Sequence, residues 1–87
     1  MTAPTLRQLF DQQDGRCWFC TDPMTYRARG HKPNGASKEH LLPKSLGGRG
    51  TKANLVAACR RCNALKANMT EGVFRQRYPN VEAIRSA

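Results

Sequence analysis

The sequence predicts a small α+β domain in which two short strands are framed by helices and stapled by a metal. Three observations carry this expectation. A chain of 87 residues with 39% hydrophobic and 7% aromatic content can build only a thin core, and domains of that kind need a staple. The cysteines come as two matched pairs, Cys17-Trp-Phe-Cys20 and Cys59-Arg-Arg-Cys62. Two brief strand-like runs lie between segments of helical periodicity. The whole of 1–87 reads as one domain, with a core over about 17–68 and flanking helices over about 4–13 and 70–78.

Taken in order, Leu6, Leu9 and Phe10 have the i, i+3, i+4 spacing of a helix over Pro4–Gln13, with Gly15 as its stop. Residues 24–36 are irregular and end in the turn-like Lys32-Pro-Asn-Gly35. A strand is expected over Ser37–Leu42, closed by Pro43, and a flexible basic loop over Leu46–Gly50. Leu55–Ala58 is a short apolar second strand, with Leu55 and Val56 in the core. A helix follows over Arg60–Asn68. Another begins with Thr70 as its cap and ends before Pro79, and a last turn starts at Asn80.

No apolar run near the start resembles a signal peptide, and none approaches the roughly 18 residues of a membrane span. A cytosolic location is expected, where paired cysteines bind metal more often than they form disulfides. Four thiolates in two Cys-x-x-Cys knuckles suit a closed, tetrahedral structural Zn²⁺ held by Cys17, Cys20, Cys59 and Cys62. A redox pair and two disulfides are the alternatives. Trp18 and Phe19 are expected to pack over the knuckle rather than to stack on bases. Residues 21–58 make a longer insert than a compact zinc ribbon carries, which implies a separate task for it.

The net charge of +9 is concentrated. Between Arg27 and Lys66 ten cations face a single acid, Glu39, whereas each flank is within one charge of neutral. Such concentration points to a polyanionic partner, nucleic acid first. A membrane surface fits poorly, because no amphipathic basic helix accompanies the charge.

Within this basic segment stand Glu39-His40-Leu-Leu-Pro43-Lys-Ser-Leu-Gly-Gly48, then Asn54-Leu55, then Cys59-Arg-Arg-Cys62-Asn63-Ala-Leu-Lys66. The series, over Cys17–Lys66, resembles the zinc-stapled branch of the HNH endonucleases, whose core is a ββα-metal hairpin and helix. The resemblance implies His40 as the general base that activates water and Asn54 as the residue that fixes the hairpin and orients the histidine. It implies Glu39 and Asn63 as the two protein ligands of a catalytic divalent metal, and Lys66 as a phosphate contact. Lys44, Arg49 and Lys52 are expected to position the nucleic-acid backbone. Asn63 stands where the family name has histidine. An amide oxygen and a carboxylate are hard ligands that suit Mg²⁺ or Mn²⁺.

The expected activity is hydrolytic nicking or cutting of DNA. Small stand-alone members of the family serve packaging, restriction or mobile elements in bacteriophages and bacteria, which implies a DNA-processing partner of that kind, in host cytoplasm if viral. The rival reading is a non-catalytic zinc module that binds nucleic acid. Taken singly, His40 would be a hydrogen-bonded core histidine, Asn54 and Asn63 turn or cap residues, and His31 a solvated loop residue. Arg60 and Arg61 beside the thiolates would offset their charge. One geometric puzzle accompanies the reading. Neighbours on a regular strand point to opposite faces, so Glu39 and His40 can share a site only if the strand bends or the phosphate straddles its end.

Overall fold

The computed structural model describes residues 3–27 and 32–87; His31 lies outside them. The elements are helix α1 (Leu6–Gln12), strand β1 (Ala36–His40), strand β2 (Leu55–Cys59), and helices α2 (Arg60–Lys66), α3 (Glu71–Arg77) and α4 (Val81–Arg85). β1 and β2 pair antiparallel, with Ala36 opposite Cys59 and His40 opposite Leu55. Together with α2 they form a small ββα unit of the α+β class, as expected.

Each helix starts where a side chain can take its first free amide. Thr5 and Gln8 close a reciprocal capping box on α1. Thr70 accepts from Val73 N–H at α3, and Asn80 accepts from Ala83 N–H at α4. At α2 the cap is a cysteine: Cys59 Sγ accepts from Cys62 N–H. One residue thus ends the strand, caps the helix and faces the thiol cluster. α2 ends at Lys66, two residues before its expected end, because Ala67 turns to φ 47°.

The ribbon between β1 and β2 is not a slack loop. Two single 3-10 turns, Lys44–Leu46 and Lys52–Asn54, fold it back. Gly47 carries φ 92°, and a Cβ on Gly48 would stand 1.7 Å from the Leu42 carbonyl oxygen. The Gly-Gly pair therefore closes the turn over Leu42, where no side chain fits.

The core joins both flanks to the ribbon: Leu9 from α1, Phe19 from the knuckle, Leu55 and Ala57 from β2, Phe74 from α3 and Ile84 from α4. Phe19 and Phe74 meet edge to face at 4.9 Å. Arg61, expected to offset the thiolates, donates instead to the Ile84 carbonyl, and Arg85 pairs with Asp22 at 2.5 Å. Gln13 does an unexpected job. Its side-chain oxygen accepts from Ala57 N–H and its amide donates to Ala57 C=O. A side chain thereby acts as a third strand and covers the outer edge of β2.

Candidate active site and metal centre

The four cysteines are buried free thiols, and their Sγ atoms all lie within 4.8 Å of one another. Cys20 and Cys59 Sγ are 3.8 Å apart, far beyond the about 2.05 Å of a disulfide. Four sulfurs at about 2.3 Å from a tetrahedral ion stand about 3.8 Å apart, so the donor set fits a metal. Backbone amides already point at the sulfurs: Phe19 and Cys59 N–H donate to Cys17, and Cys62 N–H to Cys59. The thiols share their protons unevenly. Hydrogen bonds from the Cys59 and then the Cys62 side chain hold Cys17 far below the ordinary thiol range. Burial pushes Cys20 up to about 12, and hydrogen bonding to Cys17 and Cys59 raises Cys62. A bound cation removes this conflict, because it stabilises all four thiolates together.

Strand alternation places Ser37 and Glu39 on one face of β1, and Lys38 and His40 on the other. The first face meets α2, whose Asn63 and Lys66 are one turn apart. Asn63 Nδ2 donates to Ser37 Oγ at 2.9 Å, and Ser37 Oγ donates to Ala58 C=O. This fixes the Asn63 amide and leaves its Oδ1 without a protein donor among the described residues. Ser37 was not singled out from sequence, although its position two residues before Glu39 was the signal.

Glu39 is 8% exposed. Its Oε1 accepts from His40 N–H at 2.8 Å and lies 3.8 Å from Lys66 Nζ. Its Oε2 is buried with no hydrogen-bond partner. A buried carboxylate oxygen left without a donor is costly, and a divalent cation would satisfy it. The geometric puzzle resolves here. The Glu39 carboxylate curls back to the amide of the next residue at the end of β1, while the His40 imidazole leaves from the opposite face. The two groups flank the strand's end. Lys38, on His40's side, reaches the Pro4 carbonyl just ahead of α1. The His40 imidazole makes no hydrogen bond to protein among the described residues.

Lys66 requires a correction. It is 0% exposed, and its Nζ donates to His40 C=O at 2.8 Å. A fully buried ammonium cannot touch a phosphate, so the expected phosphate contact does not hold. Lys66 instead ties the backbone of His40 and the carboxylate of Glu39 to α2. Lys44, Arg49 and Lys52 are exposed on the ribbon between the strands.

Asn54 clamps that ribbon. Its Oδ1 accepts from Leu42 N–H, and its Nδ2 donates to both Leu42 C=O and Arg49 C=O. Its own carbonyl accepts from Leu41 N–H at 2.9 Å. The residues immediately after His40 are thus held by one side chain.

Two similarities to known proteins match this geometry. The family described as HNH endonuclease matches residues 17–79. The CRISPR-associated endonuclease Cas9 of Corynebacterium diphtheriae is 32% identical over 62 residues, which is 70% of this chain and 5% of that protein. The matched span runs from the first knuckle through α3, so it takes in the thiol cluster, Glu39-His40, the Asn54 clamp and Asn63. The chain belongs to the HNH endonuclease family.

Proposed function

We propose that the protein is a metal-dependent DNA endonuclease that hydrolyses phosphodiester bonds at the end of β1, with Zn²⁺ in the cysteine cluster as a structural ion. The observation that carries this reading is the unpartnered, buried Oε2 of Glu39, beside the end of a strand whose last residue is His40. Glu39 Oε2 and Asn63 Oδ1 are hard oxygen donors and would hold Mg²⁺ or Mn²⁺. When bound, that ion supplies charge stabilisation to the phosphoryl oxygens and to the leaving oxygen.

The chain's own residues do the rest. A neutral imidazole nitrogen of His40 accepts a proton from water, and the resulting hydroxide attacks phosphorus. Asn54 holds Leu42 and Arg49 so that the backbone leaving His40 keeps one direction. Lys66 holds the His40 carbonyl from the other side. Reactions of this kind lose about a hundredfold for small misplacements of a reacting group, which explains a clamp on each side of one histidine. Lys44, Arg49 and Lys52 hold backbone phosphates and carry no sequence code.

Supercoiled plasmid incubated with zinc-loaded protein across several divalent metals tests the reading. The parent should nick or linearise it in Mg²⁺ or Mn²⁺, and His40→Ala should lose cleavage while retaining DNA affinity. Salt-sensitive binding without cleavage by the parent would replace this reading with a non-catalytic binding module.

A further inference from the structure

The Cys17-Trp-Phe-Cys20 knuckle treats its two aromatic residues differently. Phe19 is buried against Phe74, but Trp18 is 42% exposed. Its position is nonetheless fixed. The Trp18 amide donates to Ala57 C=O at 3.1 Å, and Nε1 donates to Glu71 Oε2 at 2.7 Å. With its Nε1–H already bonded to Glu71, the exposed part of the indole is apolar ring. The charge of Glu71 is shared with Arg75, whose guanidinium lies at 3.2 Å.

Trp18 lines a groove between α1 and residues 50–53. Two adjoining hollows of about 270 and 320 Å³ both have Gln12 and Lys52 in their walls and so run together. The inner one is walled by Trp18, Leu41, Leu55 and Val56. Leu41 directly follows His40, and Leu55 is the cross-strand partner of His40. The groove therefore lies beside the histidine. A hollow near 300 Å³ is at the small end of ligand sites, which is room for a nucleoside-sized group and not for a duplex. Lys52 in the shared wall, with Lys44 and Arg49 exposed on the same ribbon, supplies cations for the phosphates on either side of such a group.

We propose that this groove is a nucleobase subsite, in which Trp18 stacks on an unpaired base within a nucleotide or two of the phosphate at His40. The proposal rests on the nuclease reading for the kind of polymer bound. Stacking on an indole tolerates any base, so the subsite selects structure: strands with an unpaired nucleotide beside the cleavage point are favoured over continuous duplex.

The chain has a single tryptophan, so indole emission, excited beyond the absorption of its tyrosines, reports on this subsite alone. Zinc-loaded protein, without added divalent cation, is titrated with a short oligothymidylate and with an abasic strand of equal length and charge. Thymidylate should quench the emission and the abasic strand should not. Trp18→Leu should weaken thymidylate binding about tenfold, leave duplex binding within about twofold, and be partly rescued by Trp18→Phe. Equal quenching by the abasic strand, or unchanged thymidylate affinity in a folded Trp18→Leu, overturns the proposal. If Trp18→Leu fails to retain zinc, the contrast between the two strands on the parent protein decides by itself. Plasmid cleavage by the same preparation separates the two readings. Cleavage without base-dependent quenching removes the subsite only. Base-dependent quenching without cleavage in any metal removes the nuclease reading and keeps the subsite.

Discussion

The cysteine cluster and the end of β1 differ in how completely their polar atoms are satisfied. Around the cysteines, four buried ligands face one another and backbone amides already donate to the sulfurs. Nothing is left over for a substrate. At the end of β1, the carboxylate of Glu39 has one oxygen committed to His40 N–H and the other without a partner. On the α2 side of the strand, the Oδ1 of Asn63, whose Nδ2 donates to Ser37 Oγ, likewise has no protein donor among the described residues. A closed donor set turns binding energy into folding energy, whereas an incomplete one leaves positions for phosphate and water. On the proposed reading, the difference separates a staple from a reaction centre within one ββα unit.

The largest effect should come from opening the closed region. Chelating the zinc, or Cys62→Ser, removes apparent binding free energy of roughly 10–16 kcal/mol. The thin core cannot replace it, so circular dichroism should show loss of helical signal with zinc release. Retained signal in zinc-free protein would remove the staple from the account.

A smaller loss should follow from unpairing the open region. Lys66→Met removes the buried ammonium from Glu39 and from the His40 carbonyl. Breaking one partner of a buried pair costs about 3–5 kcal/mol. Chemical denaturation should show that loss while zinc content stays unchanged, which would place Lys66 in the support of the open site and not in the staple. A cost near zero, with DNA affinity reduced, would return Lys66 to the surface role that its burial contradicts. Asn54→Ala should cost less, about 2–3 kcal/mol for three hydrogen bonds with part of their donors rehydrated. Because those bonds hold Leu42 and Arg49, cleavage should fall further than stability does. Equal cleavage at unchanged stability would mean that the clamp is dispensable.

Much of this division was legible in the sequence. The two matched Cys-x-x-Cys pairs point to a closed four-thiolate cluster, and the four Sγ atoms do come together. Helix starts at Thr70 and Asn80 follow from cap chemistry that is local, whereas the first helix, expected from Pro4, starts after its Thr5 cap. Most of the misses share a cause, which is contact between distant residues. Residues 46–50 read as a flexible loop because the Asn54 bonds to Leu42 and Arg49 are tertiary. Lys66 read as a surface cation because charge alone says solvent. Its i, i+3 relation to Asn63 was the available hint that it turns toward β1. Gln13 on the edge of β2 left no trace at all, since a helix-end glutamine is ordinarily solvated. The end of α2 was missed because Ala67 takes a positive φ that glycine or asparagine would have advertised.

The claim that one unit carries a closed and an open cation site is tested most directly by measuring both ions on one sample. Zinc-loaded protein is titrated with Mn²⁺ and followed by electron paramagnetic resonance, with zinc content measured alongside, for the parent and for Glu39→Gln. The account predicts one tightly held zinc in both proteins, and Mn²⁺ binding at least tenfold weaker in Glu39→Gln with its fold unchanged. Equal Mn²⁺ binding by the two proteins would contradict it, as would zinc that leaves when Glu39 is replaced.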